Sequence, residues 1–199
     1  MLSLWIPPLR FGIETPDVEL AKFAASAGTK AELCSYTGST SDEEKLPKRG
    51  WFINRSRQQV GHGKDSYEKA ARALQRLDCM ELGWLSAHLH GNFLSICSRQ
   101  FGRLWVMNAN FVLRQTADER SAAGAVSKIA WGTTTWHVLA GEEQLSVRWD
   151  AADDTVTFEV LSFSRPRHLV SLATYPYVVF QQKRFARDAS RRMRQIASS

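Results

Sequence analysis

Two runs of alternating apolar and polar residues in the last third of the chain constrain its fold more than any other feature. Residues 143–149 read EQLSVRW and residues 155–160 read TVTFEV, with an aspartate-rich turn between them. Successive side chains of a β-strand point to opposite faces, so the apolar residues of each run should share one face. These residues are Leu145, Val147 and Trp149 in the first run, and Val156, Phe158 and Val160 in the second. The pattern predicts a β-hairpin.

The segment 167–199, which follows this hairpin, has the pattern of a long amphipathic helix. Its apolar stripe consists of Val178, Phe185, Ala189, Met193 and Ile196, and a separate basic stripe consists of Arg184, Arg187, Arg191 and Arg194. The segment holds seven of the Lys and Arg residues and one acidic residue, so it accounts for the whole net charge of +6. A basic stripe is typical either of a solvated helix face or of a surface that binds anions.

Two further helices are predicted before the sheet. Residues 16–27 have a Thr15 cap, a proline in the first turn and Gly28 at the end. A second helix should begin at Asp65, whose side chain can cap the first turn while Glu68 reaches back to it. Strands are predicted at 51–60, 83–89, 93–97, 104–115 and 127–138, in addition to the hairpin.

Strands joined by turns and bracketed by helices indicate an α+β fold. The expected architecture is a curved antiparallel sheet wrapped around the long C-terminal helix, with two N-terminal helices. With 199 residues, of which 44% are hydrophobic, the chain has enough apolar material for one domain. Residues 1–45 would supply the first helix and a loop, and residues 46–199 the core of this single domain, 1–199.

Composition narrows the range of functions. The three cysteines are odd in number and lack CxxC spacing, which argues against a disulfide framework or a zinc site. The first ten residues lack the pattern of a signal peptide, and no apolar run approaches the ~20 residues of a membrane-spanning helix. These features predict a soluble, cytoplasmic protein. The basic stripe lacks the motif context of specific nucleic-acid binding, although weak contact with an anionic surface is compatible with it.

Two short motifs superficially resemble known binding sites. Residues 61–64, GHGK, lack the spacing of a phosphate-binding loop and its Ser or Thr after the lysine, so a turn leading into a helix is favoured. His88 and His90 could share one strand face, but no third metal ligand is indicated. No cofactor and no metal site is therefore predicted.

His137, Glu142 and Glu143 are the candidates for acid–base chemistry. An imidazole and a carboxyl group can exchange protons near neutral pH when burial shifts their pKa values. Glu142 and Glu143 should point to opposite faces of a strand, so at most one faces a cavity and the other should be a solvated edge carboxylate. No motif places a nucleophile beside them.

Residues 162–166, SFSRP, should end the second strand of the hairpin. Pro166 cannot donate a ladder hydrogen bond and favours an extended Arg165. Arg165 could then bind a carboxylate or phosphate at the mouth of a pocket. Alternatively it could pair with Glu142, Glu143 or Glu159.

An ordered series of short motifs resembles a known family. It includes Leu46-Pro47, Gly50-Trp51, 60–63 (VGHG), 131–133 (WGT), 141–143 (GEE), 162–166 (SFSRP), Tyr175-Pro176 and 184–187 (RFAR). Together, over about residues 46–194, they resemble an uncharacterised family of bacteria and plants, domain of unknown function nineteen-ninety. The family has no established enzymatic activity. The resemblance implies a helix-grip fold of the START or Bet v type, in which the sheet encloses an apolar cavity.

Three functional hypotheses follow. The first is a binding protein, without enzymatic activity, that holds a small apolar or amphipathic ligand between the sheet and the C-terminal helix. Its candidate ligand-binding residues are Arg55, Trp131, Trp136, His137, Glu142, Glu143, Ser164 and Arg165. The second is an enzyme of unknown substrate that uses His137 with Glu142 or Glu143. The third is a peripheral module that binds anionic surfaces through Arg184, Arg187, Arg191 and Arg194.

Overall fold

The fold is an eight-stranded antiparallel sheet with a long C-terminal helix. A computed structural model describes residues 9–11, 36–100, 102, 104–134, 137–167 and 169–199. The strands are β1 Leu9–Phe11, β2 Phe52–His62, β3 Leu85–His90, β4 Phe93–Arg99, β5 Leu104–Ser121, β6 Gly124–Thr133, β7 Leu139–Asp150 and β8 Thr155–Pro166. The helices are α1 Gly63–Arg76, α2 Leu169–Ala173 and α3 Tyr175–Ala197. Short 3₁₀ turns occupy Ser39–Ser41, Glu43–Lys45 and Asp78–Met80.

The strand order is β2-β8-β7-β6-β5-β4-β3, and β1 pairs with β5. All pairs are antiparallel, and five of the six neighbouring pairs on this path are consecutive in sequence. The exception is β2, which lies against β8, so the first and the last long strands of the sheet are partners. The register of β5 against β6 is irregular between Val112 and Arg114 and between Thr116 and Glu119. Such irregularities bend a strand and increase its twist.

The predicted hairpin is present as β7 and β8. Leu145 is opposite Val160, and Val147 is opposite Phe158. All four side chains are fully buried. Burying an aliphatic or aromatic side chain of this size stabilises a fold by roughly 1.5–3 kcal/mol. A register shifted by one residue would expose all four side chains, so the alternation determines which face of the hairpin meets the core.

Helix α3 crosses the concave face of the sheet. At one edge, Asn54 of β2 donates from Nδ2 to the Gln182 carbonyl oxygen at 3.4 Å. At the other edge, Trp84, immediately before β3, donates from Nε1 to Asp188 Oδ2 at 3.2 Å. Residues at opposite edges of the sheet therefore contact α3 at positions less than two helical turns apart. The sheet must curve around the helix to make both contacts. The predicted fold class is confirmed.

Helix α1 lies on the same face, beside α3. Its buried residues are Tyr67, Ala70, Ala71, Ala73 and Leu74. They join one continuous core with the inner residues of β7 and β8 and with Phe185, Ala189 and Met193 of α3. The apolar stripe predicted for α3 thus meets the sheet. The helix predicted at 16–27 lies outside the described residues.

The start of α1 differs from the prediction. The helix begins at Gly63, two residues before the expected start, and its N-cap, His62, makes no side-chain capping bond. Asp65 lies inside the first turn, and its carboxylate pairs with Lys69 at 2.6 Å. Glu68 pairs with Arg120 instead of reaching back to a capping position. A left-handed Gly63, with φ 81°, lets β2 turn directly into the helix without a capping box.

Strands β4, β5, β7 and β8 are longer than predicted, whereas β3 begins later and β6 is shifted towards the N-terminus. Strand β6 spans Gly124–Thr133 rather than 127–138, because its residues from Gly124 to Gly132 pair with β7 from Asp150 to Glu142. The predicted corner at 162–166 is an integral part of β8, since Ser164 is opposite both Phe52 and Gly141. Pro166 does end the strand. No helix among the described residues is long and apolar enough to cross a membrane.

Candidate ligand-binding site

A cavity of about 360 Å³ lies between the inner face of the sheet and the N-terminal half of α3. Its apolar wall includes Trp84, Ile96, Val106, Trp131, Val178 and Phe185. Helix α1 covers the neighbouring part of the same face, where buried side chains form the hydrophobic core. Cavities of roughly 300–1,000 Å³ accommodate small organic ligands, so this one is large enough for a compact molecule.

Glu143 contributes a carboxyl group to the cavity wall. Its neighbours across the strands are Trp131 of β6 and Ser162 of β8, and both also line the cavity. No hydrogen bond or ion pair to this carboxyl comes from the part of the chain that the structure describes. The side chain is half-buried, and what is exposed lines the cavity. Burial raises the pKa of Glu143 to about 8, because the charged form loses its hydration.

Glu142 also borders the cavity, but its carboxylate lies on the opposite face of β7, where it is buried against residues 38–40. Its carboxylate accepts hydrogen bonds from the Gly38 N–H, the Thr40 N–H and the Thr40 hydroxyl. Arg114 lies 3.9 Å away. This arrangement agrees with the prediction that at most one of the two carboxyl groups faces a cavity. The prediction that the other is a solvated edge carboxylate is wrong, since residues 38–40 cover it.

His137 lies at the other end of the cavity. Its Nδ1 accepts a hydrogen bond from the Leu139 N–H at 2.9 Å. Glu143 lies four positions after Leu139 in β7, which corresponds to about 13 Å along an extended strand. The structure therefore does not bring His137 and Glu143 together as an acid–base pair, and Glu142 faces away from both.

The remaining candidates of the ligand-binding set divide between two faces of the sheet. Trp131 and Ser164 line the cavity, and Ser164 Oγ accepts from Gln182 Nε2 at 2.9 Å. Trp136 lies outside the described residues. Arg55 pairs with Glu43 at 2.8 Å on the outer face. Arg165 is also on that face, where its guanidinium carbon lies 4.4 Å from the Trp51 ring centroid.

The outer-face positions of Arg55 and Arg165 follow from strand alternation. Arg165 follows the inward-facing Ser164, and Arg55 follows Asn54, which reaches α3. Arg55 also lies 3.5 Å from Glu159, so Glu159 is the partner of Arg55 rather than of Arg165. Neither arginine lines the cavity, which corrects the expectation that Arg165 marks its mouth.

The arginines of α3 are used mainly within the fold. Arg184 stacks over Trp84 with 4.0 Å between its guanidinium carbon and the ring centroid, and it pairs with Asp188 at 3.6 Å. Arg187 also pairs with Asp188, at 3.0 Å. Arg194 donates to the Gln59 carbonyl oxygen at 2.9 Å. Only Arg191 of the predicted anion-binding stripe is exposed and has no such contact among the described residues.

Several cavity residues were missed by the sequence reasoning. They are Asn108, Asn110, Gln181 and Gln182, which line the cavity beside the predicted residues. The two glutamines lie one turn before Phe185, so the helical period could have placed them beside the cavity, whereas nothing in the local pattern marks the asparagines. Gly141 was singled out only as part of a motif. A Cβ there would lie 2.1 Å from the Phe163 carbonyl oxygen, so the β7–β8 pair requires glycine at this position.

No group of three or more His, Cys, Asp or Glu side chains suited to a metal ion occurs within the described ranges. His88 and His90 lie in β3 opposite Ser95 and Phe93. Residues 61–64 form the junction of β2 and α1, and Lys64 lies over the Trp149 ring, 5.2 Å from its centroid.

Comparison with known proteins identifies the family. The family model described as "Domain of unknown function (DUF1990)" matches residues 34–192. The chain belongs to this family. A UPF0548 protein of Arabidopsis thaliana is 35% identical over 155 residues, covering 75% of this chain and 75% of that protein. A UPF0548 protein of Dictyostelium discoideum is 28% identical over 177 residues, with 80% of each chain covered.

Solved structures offer a weaker likeness. Norcoclaurine synthase of Thalictrum flavum, in complex with a transition-state analogue, is 9% identical. The match covers 77% of this chain and 100% of that chain, with a TM-score of 0.42. This neighbour says nothing about the ligand or the activity of the DUF1990 chain.

Proposed function

We propose that this protein binds a small, largely apolar and amphipathic ligand in the cavity between the sheet and α3. The observation that supports this most directly is the cavity itself, a space of about 360 Å³ beside the hydrophobic core. Protein interiors are otherwise close-packed, and an unfilled apolar space of this size forfeits dispersion contacts. A ligand that fills the cavity would restore those contacts.

Two tryptophans support the proposal and offer a way to test it. Trp84 and Trp131 line the cavity and are nearly fully buried. Large flat side chains provide apolar contact area for a bound molecule at little cost in conformational entropy. A ligand would therefore change their fluorescence.

An acid–base enzyme is the second candidate function. The observation that favours it is the raised pKa of Glu143, about 8, in a cavity wall, because general acids and bases work best when their pKa lies near the working pH. The candidate partner His137 lies at the far end of the cavity, so a reaction here would rest on Glu143 alone. Chemical change in a bound compound, detected by mass spectrometry and absent in Glu143→Gln, would favour this candidate.

The binding proposal is tested with a neutral fluorescent lipophile, N-phenyl-1-naphthylamine, whose emission rises in apolar surroundings. Val178 lines the cavity, whereas its neighbour Val179 does not. Val178→Trp should fill space on the helix side and weaken probe binding by about tenfold or more. Val179→Trp is the matched control and should bind as the natural protein does.

A second cavity-filling variant guards against a local distortion of α3. Val106→Phe acts from the sheet side of the cavity and should weaken probe binding in the same way. Circular dichroism and thermal unfolding establish that each variant is folded. Probe binding of natural affinity in both folded cavity variants, or no binding by the natural protein, would overturn the proposal.

A further inference from the structure

The cavity wall contains a carboxyl group and three side-chain amide oxygens that lack hydrogen-bond donors among the described residues. Glu143 presents a carboxyl group with no partner among the described residues. Asn110 Oδ1, Gln181 Oε1 and Gln182 Oε1 are buried, and none accepts a hydrogen bond from a described residue. All four residues line the cavity. Buried acceptors without donors are costly, so a site of this kind suits a ligand that brings donors.

The orientation of the side-chain amides follows from their other partners. Asn110 Nδ2 donates to the Leu94 carbonyl oxygen at 3.3 Å, which leaves Oδ1 as the free end. Gln100 Nε2 lies 3.5 Å from the Ser98 carbonyl oxygen, so Gln100 Oε1 is the acceptor for Gln181 Nε2 at 3.4 Å. Because an amide nitrogen must face each of these oxygens, the unpartnered ends of Asn110 and Gln181 are oxygens.

These groups belong to neighbouring rows of the sheet. The pairings Asn110–Thr133 and Gly141–Ser164 lie in one row across β5 to β8, and Gln182 reaches that row through Ser164. Glu143 lies two residues further along β7, about 7 Å away on the same face. Gly141 has no side chain, so the row beside the carboxyl group is left open.

Positive charge is scarce around this space. The chain has 26 Lys and Arg residues, yet none of the described residues that line the cavity is a lysine or an arginine. His137 is the single basic side chain among them, and it lies at the opposite end. An anionic head group beside Glu143 would therefore lack a cationic partner and would be repelled by the carboxylate.

We propose that the ligand carries a protonated amino group, which binds the Glu143 carboxylate and donates to the amide oxygens of the adjacent row. A charge-assisted hydrogen bond between an ammonium group and a carboxylate is about twice as strong as a neutral one. The apolar part of the ligand would contact Trp131 and the α3 side of the cavity. This inference rests on the proposed function and assigns the chemical class of its ligand.

Three compounds with one skeleton and different head groups test the inference. They are 4-phenylbutylamine, 4-phenylbutanol and 4-phenylbutanoate, titrated into the full-length protein at pH 8.5 with tryptophan fluorescence as the readout. At this pH the amine is protonated and more than half of the Glu143 carboxyl groups, with a pKa of about 8, are ionised. The amine should bind about tenfold more tightly than the alcohol, and the alcohol more tightly than the acid.

Two isosteric variants distinguish the loss of a contact with the amino group from a general effect of removing a carboxylate. Glu143→Gln should reduce the ratio of amine to alcohol affinity from about ten to about one, while the alcohol still binds. Glu159→Gln removes a carboxylate of the outer face that pairs with Arg57, so it should leave the ratio unchanged. Equal effects of the two substitutions would contradict a direct contact at Glu143.

The outcomes distinguish the two proposals. Binding of the alcohol or the acid at least as tightly as the amine would overturn the assignment of an amino group, while ligand binding in the cavity would stand. Failure of all three compounds, together with failure of the naphthylamine probe, would overturn the proposed function and this inference with it.

Discussion

Glu142 and Glu143 are adjacent in the sequence, yet the sheet places them in opposite chemical surroundings. On the outer face, Glu142 is held by two backbone N–H groups and a hydroxyl of the segment 38–40. On the inner face, Glu143 lines a cavity and has no such donors among the described residues. Each donor stabilises a carboxylate, whereas burial without donors favours the neutral acid.

The comparison separates a structural carboxylate from one available for binding. Glu142 attaches residues 38–40 to the sheet, and its hydrogen-bonding capacity is largely used. Within the described part of the chain, the Glu143 side chain makes no hydrogen bond or ion pair to another segment. Substitution of the first should therefore damage the fold, and substitution of the second should alter ligand binding and pH dependence.

The largest expected effect belongs to Glu142→Ala. The substitution leaves the donors of Gly38 and Thr40 without their acceptor, and we expect a loss of about 4 kcal/mol in the free energy of unfolding. Chemical denaturation measures that loss, and hydrogen exchange should show reduced protection of the Gly38 and Thr40 amides.

The control for Glu142→Ala is Gln144→Ala, two residues along the same face. Gln144 accepts one hydrogen bond of 3.4 Å from Arg114, so its loss should cost only about 1 kcal/mol. Equal losses for the two variants would contradict the assigned role of Glu142.

At high pH, Glu143→Gln should stabilise the fold, whereas Glu142→Ala destabilises it. The folded pKa of Glu143, about 8, lies above the unfolded value of 4.5, so the folded state holds the proton more tightly. The resulting stability is present in full below pH 4.5 and is lost as the pH rises through 8. At pH 8.5 the glutamine variant should be more stable than the natural protein by about 3 kcal/mol. This is less than the full linkage value, since the side chain is partly exposed.

Denaturation of both proteins across pH 4.5 to 8.5 measures this effect. The difference in unfolding free energy should be small at the acidic end and should increase towards the alkaline end. A difference that does not change with pH would mean that Glu143 is ionised in the folded protein throughout this range.

Arg165→Ala should have the smallest effect. It removes the stacking of the guanidinium on Trp51, which at an exposed site is worth about 0.5–1 kcal/mol. Because Arg165 lies on the outer face, the affinity for the naphthylamine probe should be unchanged. Thermal unfolding measures the loss of stability, and probe titration measures the affinity. A substantial loss of probe affinity would mean that Arg165 contacts the ligand.

The sequence predicted the architecture because the architecture depends on local periodicity. The alternation of Leu145 and Val147 against Val160 and Phe158 specifies the hairpin face, and the stripe through Phe185 and Met193 specifies the helix face. The boundaries of β6 and α1 were not predictable in this way. They depend on pairing with β7 and on the left-handed Gly63, which a helical or strand period does not reveal.

The site was predicted only in part. Alternation required Glu142 and Glu143 to face opposite ways, but which of them faces the cavity depends on the side of the sheet that α3 covers. Likewise, nothing local indicated that residues 38–40 would bury Glu142, since this contact spans more than a hundred residues of sequence. The same holds for Asn110, whose place in the wall depends on the order of the strands.

The most direct test of this account is a pH titration of the glutamate side-chain carboxyl carbons by ¹³C nuclear magnetic resonance, in the natural protein and in Glu143→Gln. We predict one resonance that titrates at about pH 8, is absent from the variant, and shifts to a lower pKa when 4-phenylbutylamine is added. Titration of every glutamate near the ordinary value of 4.5, with no response to the amine, would contradict the claim that Glu143 is the buried carboxyl group of a ligand-binding cavity.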